Sequence, residues 1–392
     1  MGFLSINRNR RHSPLPSCTR ILICAATLTG VLAGCREDQV VFREEQIEVG
    51  EERLDEIAGF YLLNEGNMGS NKASLDQYIY ADALYRRDIY ATANPNVALE
   101  LGDVANDMKI YGDKLWIVVN ASNKVEVLDK YTARRIGQID IPNCRFITFD
   151  GPNAYVSSYA GPIEIDEDYK QRGFVARIDT ASLSITGRVT VGYQPDGVAV
   201  ADGKLYAANS GGYRVPNYEN TLSVIDLKSF EAEEPVPIAI NLSRVLADRE
   251  GKIWVASRGD YYEVPSRLYC YDPEQNRVVK TFDLPVSAMW LDGDSLYTVA
   301  ASFDYMTGEN RRSFAVFDTR TLTQLTDCFI TDGTENRIEV PYGVAVNPVS
   351  GEILVCDART YVNPGRLYCY DHEGRFLWEV RTGDIPCCIS FF

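Results

Sequence analysis

"PDGVAVADGKLYAANSGGYRVPNYENTLSVIDL" (195–227) holds three short apolar runs and no sustained helical period. "PDGVAV" (195–200) and "LYAANS" (205–210) are joined only by "ADGK" (201–204), which suits a hairpin. A longer polar loop, "SGGYRVPNYEN" (210–220), leads to "LSVID", which ends on Asp226. An Asp there has a physical use. Its carboxylate accepts a hydrogen bond from backbone two residues on and so favours a tight turn into another strand. The stretch predicts three antiparallel strands and the approach to a fourth.

The pattern recurs along the chain. "VEVLD", "VARID", "LSVID", "LYCYD", "FAVFD" and a second "LYCYD" end on Asp129, Asp179, Asp226, Asp272, Asp318 and Asp371, at spacings of 50, 47, 46, 46 and 53. Upstream of each lies a second shared run: "LWIVVN" (115–120), "AYVSSY" (154–159), "LYAANS", "IWVASR" (253–258), "LYTVAA" (296–301) and "ILVCDA" (353–358). "FYLLNE" (60–65) adds a seventh. Four short strands at this period indicate a β-propeller. The predicted fold is all-β, a seven-bladed β-propeller of four-stranded blades spanning 58–392. The tail "DIPCCISFF" (384–392) matches the inner-strand slot of "EVPYGVAVN" (339–347) but no further strands follow it. The first unit lacks that inner strand, so the C-terminal strand is expected to complete the first blade and remove a free edge. Ile79 stands in the first unit where the others have Asp.

In such a ring the loops between second and third strands share one face with the blade-to-blade connections. "EGNMGSNKA" (65–73) fills that slot in the first unit; it opens no helix and lacks the phosphate-loop spacing, so it is read as a face loop. Its counterparts are long and aromatic, while connections such as "ADGK" on the other face are terse. Tyr pairs a broad ring with a polar tip at low entropic cost, which suits ligand capture. Tyr159, Tyr213, Tyr218, Tyr261, Tyr262, Phe303, Tyr305 and Tyr361 are therefore expected to stack on or flank a ligand, and Asn209, Arg258 and Asp357 to hydrogen-bond it.

Catalysis has little support. The two histidines are His12 and His372, the latter in the turn "YDHEG", and no G-x-S-x-G occurs. The acidic "EIDED" (164–168) lacks the spaced ligands of a calcium loop, and the cysteines form no CxxC, so neither a metal site nor a cofactor is expected. The inner strands read "GVAV" and "AMWL", which offer no carboxylates for a metal-dependent hydrolase of lactonase type. That enzyme class, and a scaffold that only docks a membrane partner, stand as the alternatives.

The chain opens with Arg8, Arg10, Arg11 and Arg20 before the apolar "ILICAATLTGVLAG" (21–34), a pattern of a secretory signal too short to span a bilayer. The run ends in "LAGC", which resembles the bacterial lipobox and implies lipidation of Cys35. Residues 1–34 are read as a lipoprotein signal peptide, and 35–57 as the lipidated Cys with an acidic tether. Setting aside those four arginines leaves 35 basic against 55 acidic side chains, a formal charge of −20. That charge repels nucleic acid and anionic headgroups. The lipid is then the only membrane anchor.

"LLNEGNMGSNKASLD" near the mature N-terminus, blades of the type "PDGVAVADGKLYAANSGG…NTLSVIDL" and the lipobox together resemble the YncE-like propeller surface lipoproteins of Bacteroidetes, including those that capture cobalamin. The resemblance implies a lipid-anchored, surface-exposed outer-membrane protein. Such a protein binds a small ligand, with corrinoid (vitamin B12) foremost, on one propeller face and passes it to a TonB-dependent transporter. No enzymatic activity is implied.

Overall fold

The computed structural model describes residues 45–392 apart from 55, 98–99 and 305–308. The signal segment, Cys35 and Tyr305 lie outside the described residues. Seven antiparallel sheets follow one another along the chain, and the fold is the seven-bladed propeller that the repeats predict. In the second blade, for example, Ala105–Tyr111 is innermost, followed outward by Lys114–Val119, Lys124–Asp129 and Arg135–Asp140.

Second strands are buried on both faces, as in Gly59–Asn64, whereas outer strands such as Ser184–Thr190 alternate with solvent. The reason is the stacking of blades. Seven apolar layers fill the seven gaps between neighbouring sheets. One joins Trp116, Val118 and Val127 of the second blade to Ile147, Val156 and Ile178 of the third. Another joins Phe60, Leu62 and Tyr78 of the first blade to Leu354, Leu367 and Val380 of the seventh. Because both faces of a middle strand meet a neighbour, its sequence reads as a near-continuous apolar run.

The ring closes as expected. Pro386–Phe391 lies innermost in the first blade, paired with Gly59–Asn64 in the register Phe60 to Phe391 and Leu62 to Ile389. Gly59 and Phe392 exchange backbone hydrogen bonds at 3.2 and 3.0 Å.

The first blade departs from the four-stranded expectation. Glu45–Glu48, within the stretch read as tether, pairs with Leu84–Arg87 as a fifth, outermost strand. Ile47, Val49 and Ile57 then pack on the layer between blades one and seven, and Tyr78 Oη donates to Val49 O at 2.9 Å. Arg53 pairs with Glu352 of the seventh blade and lies 4.2 Å over the Tyr80 ring. These apolar residues, spaced among acids, strap the seam where the two ends of the chain meet.

The Asp hairpins form as their chemistry requires. Asp129 Oδ1 accepts from the backbone of Tyr131 and Thr132 at 3.1 and 2.9 Å. Asp226 accepts from Ser229 N at 2.7 Å, and Asp318 from Arg320 N and Thr321 N at 2.9 Å each.

Candidate functional site

One backbone hydrogen bond recurs on the loop-bearing face. The residue just after a second strand donates to the residue just before the inner strand: Glu65 to Ile385 (2.8 Å), Asn120 to Val104 (2.7 Å), Tyr159 to Asn143 (3.1 Å), Ser210 to Gln194 (3.2 Å), Arg258 to Asn241 (3.0 Å) and Ala358 to Val340 (2.9 Å). The bond fixes an equivalent position in six of the seven blades at the mouth of the central channel. Three blades fill it with a long polar side chain: Glu65, Tyr159 and Arg258. A second position, the next-to-first residue of the inner strand, supplies Asn106, Arg145, Asp196 and Tyr342.

These side chains join across blades. Tyr342 Oη donates to Glu65 Oε2 at 2.9 Å, and Asn106 Nδ2 to Glu65 Oε1 at 3.2 Å. Arg145 donates to Asn106 Oδ1 at 2.7 Å and to Asp196 Oδ1 at 2.9 Å. Tyr159 Oη donates to Asp196 Oδ1 at 2.7 Å, and Arg258 to Asp196 Oδ2 at 2.9 Å. The arc runs through blades seven, one, two, three, four and five. Arg244 extends it toward blade six by donating from Nε to Ser287 O at 2.9 Å, with its guanidinium 4.6 Å over the Phe146 ring.

The electrostatics follow from burial and partners. Burial alone would push the Asp196 carboxyl up, but Arg145 and Arg258 outweigh it and hold it below its ordinary value. Glu65 is pushed up by burial, against the Tyr342 hydrogen bond and the three nearby arginines. Tyr342 is pushed up by Glu65 and then by burial, and Tyr159 by burial. Three guanidiniums thus act on the two carboxylates of the arc, within a chain of net charge −16. Among the described residues the terminal nitrogens of Arg244 meet no acceptor.

The expected site residues fall into three groups. Tyr159 and Arg258 belong to the arc, and Tyr213 lies edge-on to Tyr159 at 6.2 Å. Tyr361 lies edge-on to Tyr342 at 5.8 Å and keeps an exposed flank; Tyr261 and Tyr262 stand exposed at a loop tip, with half-buried Tyr218 within their electrostatic reach. Asn209 and Asp357 are buried and work as loop anchors. Asn209 accepts from Gly192 N at 3.1 Å and donates to Thr221 Oγ1 and Ser223 Oγ; Asp357 accepts from Glu339 N, Val340 N and Arg359 N. Phe303 lies near the end of the strand Ser295–Asp304.

Sequence reasoning missed Glu65, Asn106, Arg145, Asp196, Arg244 and Tyr342. The reading of the inner strands as apolar was incomplete: their loop-side ends carry the charge. The signal was present in "PDGVAV" and "PYGVAV", where the central residue of each Pro-x-Gly is Asp196 or Tyr342. The glycine that follows is a steric necessity. A Cβ on Gly197 would lie 2.5 Å from Ser243 O, and one on Gly343 2.3 Å from Cys387 O, because adjacent inner strands crowd the axis. Among the described residues no three His, Cys, Asp or Glu side chains gather as a metal-ligating group.

A family model described as "Domain of unknown function (DUF5074)" matches residues 58–379. A comparison with curated proteins finds no relative. Solved propellers are similar in fold alone. A quinoprotein alcohol dehydrogenase-like protein from Bacteroides thetaiotaomicron superposes with TM-score 0.56 at 15% identity, covering 85% of this chain and 77% of its own. The hydrazine synthase of Kuenenia stuttgartiensis gives 0.52 at 16%, covering 68% and 76%. The Pan2 WD40 domain of Neurospora crassa gives 0.51 at 12%, covering 70% and 78%.

Proposed function

We propose that this chain, which belongs to the DUF5074 family, is a non-catalytic propeller that captures a small polar ligand at the mouth of its central channel. The observation that carries this reading is the hydrogen-bonded arc itself: Glu65, Asn106, Arg145, Asp196, Arg258 and Tyr342 come from six blades and hold one another in place. Such a floor is organised before any ligand arrives, which lowers the ordering cost of binding. Above it, Tyr261, Tyr262 and Tyr361 offer exposed rings. Both oxygens of Asp196 are already engaged by Arg145, Tyr159 and Arg258, which argues against a metal-dependent hydrolase built on it.

Corrinoid is the first ligand to test, since a broad ring with amide arms matches an aromatic rim over donors and acceptors. In this reading Cys35 carries a lipid, the ring is displayed on the outer membrane, and a TonB-dependent transporter receives the ligand. The lipobox and the family resemblance support that placement. Calorimetric titration of the purified protein with cyanocobalamin tests it: saturable binding is expected, weakened at least tenfold by Tyr261→Ala/Tyr262→Ala. A flat titration at tens of micromolar rejects corrinoid.

A further inference from the structure

The outer part of blade seven holds an arrangement that folding alone does not favour. Arg366 of Pro364–Tyr370 stands directly opposite Arg381 of Phe376–Asp384 in the antiparallel register. Like charges in that position repel and destabilise a sheet. Arg366 is relieved by Glu379, which also pairs with Arg337, and Arg359 is held by Glu339 at 3.1 Å. Arg381 has no carboxylate within ion-pair distance among the described residues. Four guanidiniums thus share two carboxylates, in a chain with an excess of acid.

Arg359, Arg366 and Arg381, with Asn363, Pro364 and Gly365, line a cavity of about 330 Å³. A Cβ on Gly365 would lie 2.3 Å from Pro386 Cδ and 2.7 Å from Asp357 O, so that backbone is pressed against the closing strand. Guanidinium forks bind oxyanions through paired, charge-assisted hydrogen bonds, and several forks around one space suit a tetrahedral anion better than a flat carboxylate. The cavity lies at the lower end of the size range of small-molecule pockets and leaves room for an organic group beyond the anion.

We propose that this cavity on blade seven is a binding site for the phosphate group of a phosphate monoester or a phospholipid headgroup, with Arg381 as its unpaired anchor. It shares no residue with the arc at the channel mouth, so either site can fail its test without affecting the other.

Thermal melts of the purified protein in inorganic phosphate and in chloride at matched ionic strength provide the first test. Phosphate should raise the melting temperature above that in chloride. Arg381→Gln, which removes the repulsion with Arg366, should melt no lower than the wild type in chloride and lose the response to phosphate. Equal melting in both salts, or a variant that still responds, overturns the proposal. Calorimetry with glucose 6-phosphate and co-sedimentation with phosphatidylglycerol vesicles distinguish the sources. Saturable binding at least tenfold weaker in Arg381→Gln identifies a soluble ester, and sedimentation lost in the same variant identifies a lipid headgroup. The absence of both results overturns the proposal.

Discussion

The two ends of each blade spend their polar groups differently. At the hairpin end, Asp129 bonds Thr132 three residues away, and Asp179, Asp226, Asp272, Asp318 and Asp371 repeat the device within their own turns. At the loop-bearing end the partners are distant in sequence. Arg145 and Asp196 are 51 residues apart, Arg258 and Asp196 62, and Tyr342 and Glu65 277. The first end is the same solution copied six times and concerns one blade at a time. The second is a single construction to which each blade contributes something different. A ring built from copies can carry a specific site only where its copies differ, and here they differ at the mouth.

That contrast predicts unequal sensitivity to mutation. Asp196→Ala should have the largest effect, because it leaves Arg145 and Arg258 facing each other without the carboxylate that both use. Removing one partner of a buried pair costs about 3–5 kcal/mol, and the partial exposure of Arg258 places this case near about 3 kcal/mol. Urea denaturation measures it. A loss below about 1 kcal/mol, the level of an exposed ion pair, would mean that the arc is surface decoration and that the contrast between the ends is false.

A smaller and more diagnostic effect is expected at Glu65. Burial raises its folded pKa, so the folded protein holds this proton more tightly than the unfolded chain. Its contribution to stability is fully present below the ordinary Glu value of about 4.3 and is lost as pH rises through the folded value. Glu65→Gln removes that titration. The stability of the variant relative to wild type should therefore improve steadily as pH rises above about 4.3. Melting curves of both proteins across this range check it; a difference independent of pH would show that burial leaves the proton affinity of Glu65 as it is in the unfolded chain.

The same contrast explains what was legible in the sequence. The Asp hairpins, the second strands and the closing strand announce themselves because each is fixed by local chemistry or by repetition: a turn-forming carboxylate, an apolar run enclosed between blades, a tail that matches a missing slot. Glu65, Arg145 and Asp196 do not. Each occupies a position that is polar in one blade and small or apolar in another, such as Ala358 or Cys387, so no pattern along the chain marks it. The aromatic loops drew attention through composition, and two of their rings, Tyr213 and Tyr361, lie against members of the arc. Asn209 and Asp357 show the limit of such reasoning. A polar residue at a strand end can face a ligand or anchor its own loop, and which it does depends on whether backbone N–H groups lie within reach. The docking of Glu45–Glu48 was hidden for a similar reason, since a short acidic segment with single apolar residues reads as linker until the seam it covers is in view.

The smallest effect belongs to the hairpin end. In Asp226→Ala the turn loses the bonds from Ser229 N at 2.7 Å and Ser229 Oγ at 3.0 Å, but its backbone bond from Phe230 N to the carbonyl of residue 226 remains, at 2.8 Å in the native protein. A turn exposed to water and closed by its own backbone should lower the melting temperature by only about 1–2 °C. Its pH dependence runs opposite to that at Glu65. The Ser229 hydrogen bonds hold the Asp226 carboxyl below its ordinary value, so its contribution is present above the unfolded value of about 3.9 and vanishes as pH falls through the folded one. The gap between wild type and Asp226→Ala should therefore close in acid. If that gap instead widened in acid, the carboxylate would not be what holds the turn, and the local device read from six copies of one pattern would have to be assigned to another part of the hairpin.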